Sequence, residues 1–471
     1  MDFRKNPVFR FLASVKLALP MILILAVLLA TGTIVEVVYS TPIAKRFVYG
    51  TWWFALFLLL LGVNVFCSAI SRWPWKKYQT GFVITHLGIL CVLAGSLITQ
   101  RFGTDGQIAL VEGQHRAVFQ EDKPTFYYQI NDQAARQFPA SFQVFQPSST
   151  HPFVFHLEDG GLLMIDQFYL NAGKVIGGQR APAGQKGFPA IRLNLHSAFV
   201  QENNWLFLGN ATYGQLDLGP ASVYFEKEGD WKKRPEARDI PPNALVFLLT
   251  PSGRLKYQVR HRGDFSPIEA LRVGQSYSTG WMDMQFEVQD QLAEGVPQIS
   301  YEPEPLVSQK EPESAIHYQA VHGSERLEGW LGFEDQVSFP LAGKTLGLAY
   351  GPRQGNLPFD LELKKFKLGL DPGTQKPASY ASDVDYTDLE KGTKRPATIG
   401  MNEPLHYRGY TIYQASYSAG PDGKYTSVFS VGRDPGLIVK YGGALIMVLG
   451  IIFMFWFKNP AWNKRTENAL E

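Results

Sequence analysis

Residues 81–100 read GFVITHLGILCVLAGSLITQ, a stretch that is almost wholly apolar but contains one ionisable side chain, His86. Its length is close to the roughly 20 residues that a helix needs to cross a hydrocarbon core of about 30 Å. An imidazole in hydrocarbon loses its hydrogen bonds to water, and that loss is costly unless another partner replaces them. The stretch therefore predicts a membrane-spanning helix in which His86 has a specific partner.

Three more apolar runs have the same length and character, and together they predict four spans at 17–35, 51–70, 80–99 and 437–457. Helices of a soluble core do not stay apolar on all faces for so long. The predicted fold is an integral membrane protein with four transmembrane α-helices, three N-terminal and one C-terminal. Residues 1–100 form its N-terminal membrane part, 101–436 a large β-rich extracytoplasmic domain, and 458–471 a cytoplasmic tail.

Basic residues give the expected orientation, because cytoplasmic segments carry an excess of Lys and Arg. They cluster at the N-terminus, between the second and third spans, and in the tail, which places both termini in the cytoplasm. Tryptophans flank the spans, as residues of the membrane interface do. The basic residues are Arg4, Lys5, Arg10, Arg72, Lys76, Lys77, Lys458, Lys464 and Arg465, and the tryptophans are Trp52, Trp53, Trp73, Trp75 and Trp456.

The segment 101–436 has the pattern of β-strands, since runs such as FDLELKKFKL (359–368) alternate or are rich in β-formers and turn residues separate them. A composition shift at 295–315 predicts a division into two lobes. The segment holds 32 Lys and Arg against 39 Asp and Glu, and the rest of the chain 13 against 4. This balance excludes nucleic acid as a partner and fits either simple solubility or a cationic polypeptide partner.

Catalytic and metal-binding motifs are missing from the sequence, which has no GxSxG, GxxxxGK[ST], HExxH or CxxC pattern. The cysteines, Cys67 and Cys91, both lie in predicted spans, so the β-rich domain forms no disulfide of its own. Its histidines are scattered, and His151 and His156, five residues apart, fall on opposite faces of a strand. We therefore assign no catalytic residue.

The third span has two distinct faces. Its small residues form one stripe, along which another helix packs closely. At about 100° per residue, His86 lies about 200° from Gly88, on a face that it shares with leucines. Three interpretations of His86 remain open: a ligand of haem iron, a structural hydrogen bond, or part of a proton or ion path. The stripe consists of Gly81, Thr85, Gly88, Gly95 and Thr99, and the leucines are Leu90, Leu93 and Leu97.

Several segments, in this order, resemble the ResB-like family, one half of the ResB–ResC (system II) cytochrome c biogenesis machinery. THLGILCVLAGSLITQRFGTDGQIALVEGQ (85–114) resembles the family's third span and first outer strand. KPASYASDV (376–384) and MNEPLHYRGYTIYQASY (401–417) resemble segments near the end of the outer domain. VGRDPGLIVKYGGALIMVLGI (431–451) resembles the entry to the last span.

The resemblance implies a subunit of a cytochrome c synthase in the bacterial cytoplasmic (inner) membrane. Such a complex delivers haem across the membrane and supports its thioether attachment to the CxxCH motif of apocytochrome c. It also implies that His86 is an axial ligand of the iron of a haem b that is bound transiently and shared with a ResC-like partner. This chain would be a non-catalytic or shared-site subunit of the haem lyase. Thiol-redox proteins would be indirect partners, and membrane lipid would surround the spans. The alternative is a membrane-anchored scaffold or chaperone for envelope proteins that has no haem ligand of its own.

Overall fold

The computed structural model describes residues 6–140, 142, 146–158, 160–182, 184, 186–197, 201–233, 240–281, 283–308, 310–374, 376–420 and 423–458. Arg4, Lys5, Lys464 and Arg465 of the orientation argument, and the predicted tail beyond residue 458, lie outside these residues.

Long helices account for the apolar runs of the sequence. In the described part of the chain, four helices are long and apolar enough to cross a membrane. The predicted arrangement, three apolar helices before a β-rich domain and one after it, is confirmed. The helices are α1 (Pro7–Leu12), α2 (Val15–Val38), α3 (Thr41–Ala44), α4 (Trp52–Ile70), α5 (Thr80–Phe102), α6 (Glu228–Trp231) and α7 (Leu437–Lys458), with a π-helical turn at Lys45–Tyr49 and a 3-10 turn at Lys77–Gln79.

The strands of the β-rich domain run from residue 104 to residue 433. The first half contains β1 (Thr104–Val111), β2 (His115–Ile130), β3 (Arg136–Pro139), β4 (Phe153–His156), β5 (Leu162–Tyr169), β6 (Ala172–Arg180), β7 (Phe188–His196), β8 (Gln201–Phe207), β9 (Gln215–Asp217), β10 (Ser222–Lys227), β11 (Ala244–Leu249) and β12 (Leu255–His261). The second half contains β13 (Asp264–Phe265), β14 (Glu269–Ala270), β15 (Ser276–Ser278), β16 (Gln285–Pro303), β17 (Ala315–His322), β18 (Glu325–Gly332), β19 (Asp335–Leu341), β20 (Lys344–Leu370), β21 (Pro377–Asp388), β22 (Lys394–Gly400), β23 (Leu405–Tyr407), β24 (Tyr410–Ala419) and β25 (Tyr425–Arg433).

These strands form four sheets in the described part of the domain. The large sheet has the order β22-β21-β20-β2-β1-β25-β24-β23, with β19 beside β20 and β3 beside β2. The four-stranded sheet has the order β18-β17-β5-β4. The other two have the orders β13-β12-β11-β10-β9, with β14 beside β12, and β15-β16-β7-β8, with β6 beside β16. Strands β10 and β11 pair in parallel, and α6 lies in the connection between them.

Apolar side chains from facing strands fill three main cores. One lies between the sheets built around β7 and β11, with Leu193 and Phe247 fully buried. The second joins the four-stranded sheet to β2 and β20, and the third fills the C-terminal part of the large sheet. The strand β16 extends to Pro303, so regular structure covers the first part of the segment 295–315. The division into two lobes at that segment stays a prediction.

Helices α5 and α7 pack together through the stripe of small residues. Gly81, Gly88 and Gly95 are buried in this contact. A side-chain carbon placed on Gly88 would lie 2.5 Å from the backbone nitrogen of Met447 and 2.7 Å from the carbonyl oxygen of Gly443. Two helices that approach this closely can carry only glycine at the point of contact.

Candidate functional site

His86 lies in the second turn of α5, and its ring is half-buried. Its Nδ1 is 2.9 Å from the carbonyl oxygen of Phe82, one turn earlier in the same helix. A carbonyl oxygen only accepts hydrogen bonds, so Nδ1 carries the proton and Nε2 keeps its lone pair. The helix itself therefore satisfies one side of the imidazole and leaves the other side available to a ligand.

An aromatic ring and a cation stand beside this imidazole. The Phe82 and His86 ring centroids are 3.8 Å apart, with an angle of 40° between the ring planes. The guanidinium carbon of Arg72, just beyond the end of α4, lies 3.8 Å from the Phe82 ring centroid. The basic loop thus brings a positive charge to the end of α5 that carries His86. Sequence reasoning used Arg72 only for orientation and did not single out Phe82, although the i, i+4 spacing to His86 was visible.

The histidine face of α5 is shared with α4 rather than wholly open. Leu93, on that face, has a methyl carbon 3.6 Å from the position that a side-chain carbon on Gly62 of α4 would take. Helix α4 packs across the far half of this face. Between α4 and α5 lies a cleft of about 220 Å³ lined by Tyr49, Phe54, Leu58, Leu93, Ser96, Leu97 and Gln100.

The tryptophans lie at helix ends. Trp52 and Trp53 begin α4, and Trp456 lies in the last turns of α7. Trp73 and Trp75 follow α4 and contact each other edge to face, and the indole N–H of Trp75 donates to the carbonyl oxygen of Ala69. These positions are those that membrane-interface tryptophans take.

Other titratable side chains do not gather around a metal. Within the described residues there is no group of three His, Cys, Asp or Glu side chains that could hold an ion, and Cys67 and Cys91 are free thiols. Nδ1 of His151 contacts the Thr150 hydroxyl at 3.0 Å. One buried histidine–carboxylate pair, His317 with Asp166, escaped sequence reasoning because 150 residues separate the two positions.

Residues 326–427 match the ResB-like family. This segment contains most of β18, all of β19 to β24 and the start of β25. All of these strands except β18 belong to the large sheet. His86 lies outside it.

Three curated proteins are similar to part of the chain. Protein NrfI of Wolinella succinogenes is 38% identical over 106 residues, which cover 22% of this chain and 11% of that protein. Cytochrome c biogenesis protein CcsB of a Synechococcus species is 32% identical over 95 residues, 20% of this chain and 19% of the relative. CcsB of Prochlorococcus marinus is 28% identical over 109 residues, 23% of this chain and 24% of the relative.

The chain thus spans less than a quarter of the length of each of these curated relatives. Two of the stretches that first indicated the family, 376–384 and 401–417, lie within the matched segment, and the other two, 85–114 and 431–451, lie outside it. The predicted resemblance of this chain to the ResB-like family, whose relatives include cytochrome c biogenesis proteins, is therefore confirmed.

Proposed function

We propose that this chain is a subunit of a cytochrome c synthase that holds haem in the bacterial cytoplasmic membrane before the haem is attached to apocytochrome c. The observation that carries the proposal is the state of His86. It lies on a helix apolar enough to cross a membrane, its Nδ1–H is occupied by Phe82, and its Nε2 lone pair is free for iron. The similarity to proteins named for cytochrome c biogenesis supplies the reaction class.

The side chains around His86 fit haem. A neutral imidazole whose second nitrogen donates to a backbone carbonyl is the usual form of a histidine ligand, because that hydrogen bond fixes the tautomer and the ring orientation. Arg72 lies beside Phe82 at the same end of α5, where a guanidinium can pair with a carboxylate of the porphyrin. Bound iron would supply redox chemistry, and Nε2 of His86 would hold the iron.

A ResC-like membrane subunit would supply the second axial ligand, since α5 offers one histidine and the described helices bring no second one to it. The thioether bond would form with the two thiols of a CxxCH motif, because both cysteines of this chain lie in its apolar helices. In this proposal the large β-rich domain lies outside the cytoplasm, next to the attachment site, and both termini lie in the cytoplasm.

The visible spectrum of the chain purified with its ResC-like partner tests the proposal. We expect wild type to show a Soret band, and His86→Ala to show a weaker or shifted band that recovers on addition of imidazole. Leu87→Ala is the matched control, because Leu87 is the next residue along α5 and is exposed on the helix surface. Equal haem spectra in wild type and His86→Ala would show that the partner alone holds haem, and His86 would then only brace helices.

A further inference from the structure

A part-buried histidine–carboxylate pair lies in the four-stranded sheet. Nδ1 of His317, on β17, is 2.6 Å from Oδ1 of Asp166, on β5. The side-chain amide of Gln319 donates to the other carboxylate oxygen at 2.9 Å. The two side chains of the pair are 13% and 9% exposed, so the ring and the carboxylate hold each other in a largely dry site.

A β-bulge of β5 lies at Asp166. His317 pairs with Gln167, but its neighbour Tyr318 pairs with Ile165, so β5 has one extra residue at Asp166. Ile165 packs in the core on one side of the bulge, and Phe168 does so on the other. Asp166 follows the core-facing Ile165 and so points to the opposite face of the sheet, which also carries His317. Bulges of this kind often re-aim a side chain beside a functional site.

The geometry settles which nitrogen of His317 is free. A carboxylate accepts the Nδ1–H, so Nε2 carries the lone pair. Nε2 makes no hydrogen bond among the described residues, and the His317 side chain is 13% exposed. The indole of Trp330, paired opposite His317 on β18, lies 5.0 Å away and forms one wall. An imidazole oriented by a carboxylate, with Nε2 open, is the arrangement of a proton acceptor.

The pair lies close to the ends of the apolar helices. The Arg46 guanidinium, in the turn between α2 and α4, lies 5.2 Å from the Phe168 ring centroid, and Phe168 pairs with Ile316, next to His317. The Ser308 hydroxyl, in the connection that leads to β17, donates to the carbonyl oxygen of Val38 at the end of α2. A polypeptide that reaches His317 is therefore near the membrane surface.

We propose that His317 accepts the proton of a substrate cysteine thiol, with Asp166 as its positioning residue. The inference rests on the proposed function, which supplies the thiol and the haem vinyl group as substrates. The S–H proton passes to Nε2 and its electron pair stays on sulfur. The thiolate forms a C–S bond with one vinyl carbon, and the π pair of the vinyl bond moves to the other carbon, which takes the proton back from the imidazolium. The sum is addition of a thiol across a double bond, so no oxidant or reductant is consumed.

The test measures covalent haem attachment by the full-length chain with its ResC-like partner, given reduced haem and an apocytochrome with a CxxCH motif. General-base contributions are typically about 10²–10⁴-fold, so we expect His317→Gln to attach haem about 10²-fold more slowly or worse. The Soret band of haem bound before attachment should not change. His322→Gln, at the end of the same strand, is the control and should attach haem at the wild-type rate.

Two further variants separate chemistry from folding. We expect added imidazole to restore part of the rate of haem attachment by His317→Ala. The same addition should leave the thermal unfolding midpoint of this variant unchanged. Asp166→Asn should slow attachment and Asp166→Glu should restore part of the rate. A His317→Gln rate within about twofold of wild type, or a parallel loss of Soret intensity, would overturn the proposal and leave the role of His86 intact. A wild-type complex with no haem would instead refute the proposed function, and this proposal with it.

Discussion

The contact between α5 and α7 predicts opposite effects for two adjacent glycines of α7. A side-chain carbon on Gly443 would lie 2.8 Å from the carbonyl oxygen of Gly88 and 2.8 Å from the backbone nitrogen of Val92. A side-chain carbon on Gly442 would meet no atom within 4 Å. Both residues are in the same turn of the same helix, so the pair isolates the interhelical contact from the intrinsic effect of replacing glycine.

The magnitude follows from the geometry. Ordinary van der Waals contact begins at 3.4 Å, so Gly443→Ala must separate the helices locally by roughly 0.6 Å. Overpacking of this kind costs about 1–3 kcal/mol. Both variants gain the same helix propensity, worth up to about 1 kcal/mol, and Gly442→Ala lacks the overpacking cost. We therefore expect the free energies of unfolding of the two variants to differ by about 1–3 kcal/mol, with Gly443→Ala the less stable.

The assay is reversible unfolding in mixed micelles titrated with a denaturing detergent and followed by tryptophan fluorescence. Wild type, Gly442→Ala and Gly443→Ala should give parallel transitions with different midpoints. If the two variants unfold within about 0.5 kcal/mol of each other, α5 and α7 do not meet at Gly443 and the packing argument fails.

Two other substitutions test the haem site and the β-rich domain. Arg72→Ala should weaken haem retention in the purified complex without abolishing the iron–His86 signature. Lys76→Ala, in the same basic loop, is the control and should leave haem retention unchanged. Equal losses of haem in the two variants would mean that only the net charge of the loop matters. The Tyr407 hydroxyl, which donates to the buried Asp388, lowers the pKa of that carboxyl to about 2. The carboxylate therefore stabilises the folded state above its unfolded pKa of about 3.9, and this contribution is lost as the pH falls through about 2. Asp388→Asn should lower the thermal unfolding midpoint at pH 7, and the difference from wild type should vanish near pH 2; a difference that persists at that pH would contradict the assignment.

The membrane helices were predictable because length and hydropathy are local properties. The predicted span 51–70 corresponds to α4, Trp52–Ile70, and the span 437–457 to α7, Leu437–Lys458. The stripe of small residues on α5 predicted a closely packed helix, but it carried no information on which one. That choice depends on Gly443 and Gly450, which lie more than 300 residues further along the chain.

The sheets of the domain were not predictable beyond their strand content. The alternation in 359–368 identified part of a strand, whereas the structure continues it as β20 over Lys344–Leu370. Its partner β21 is the next strand in the chain, but its other partner β2 lies more than 200 residues earlier, and local pattern does not specify pairing over that distance. Ile412 is fully buried and Tyr413 is 46% exposed, because adjacent residues of a strand point to opposite faces.

The two candidate histidines differ in how readily the sequence reveals them. His86 stood out in the sequence because an ionisable residue is rare in an apolar helix, and its hydrogen bond to Phe82 is local. His317 was one of several scattered histidines. Its distinguishing partner, Asp166, is brought to it by strand pairing and a bulge that no local pattern reveals. The sequence therefore identifies a residue such as His86, whose chemistry differs from that of the segment around it. It misses a residue such as His317, whose partner is brought to it only by the pairing of distant strands.

The apolar helices α5 and α7 continue directly into paired antiparallel strands of the large sheet. Helix α5 ends at Phe102 and β1 begins at Thr104, while β25 ends at Arg433 and α7 begins at Leu437. The strands pair from Thr104 opposite Arg433 outward, directly beyond the packed helices.

Asp434 secures the junction, since it accepts hydrogen bonds from the Thr99 hydroxyl of α5 and the Lys440 ammonium of α7, each at 2.5 Å. Rotation of α5 about its axis must therefore strain either this cluster or the β1–β25 ladder. A ligand that moved α5 at His86, as the proposed haem would, would act on the same helix that continues into β1 of the large sheet.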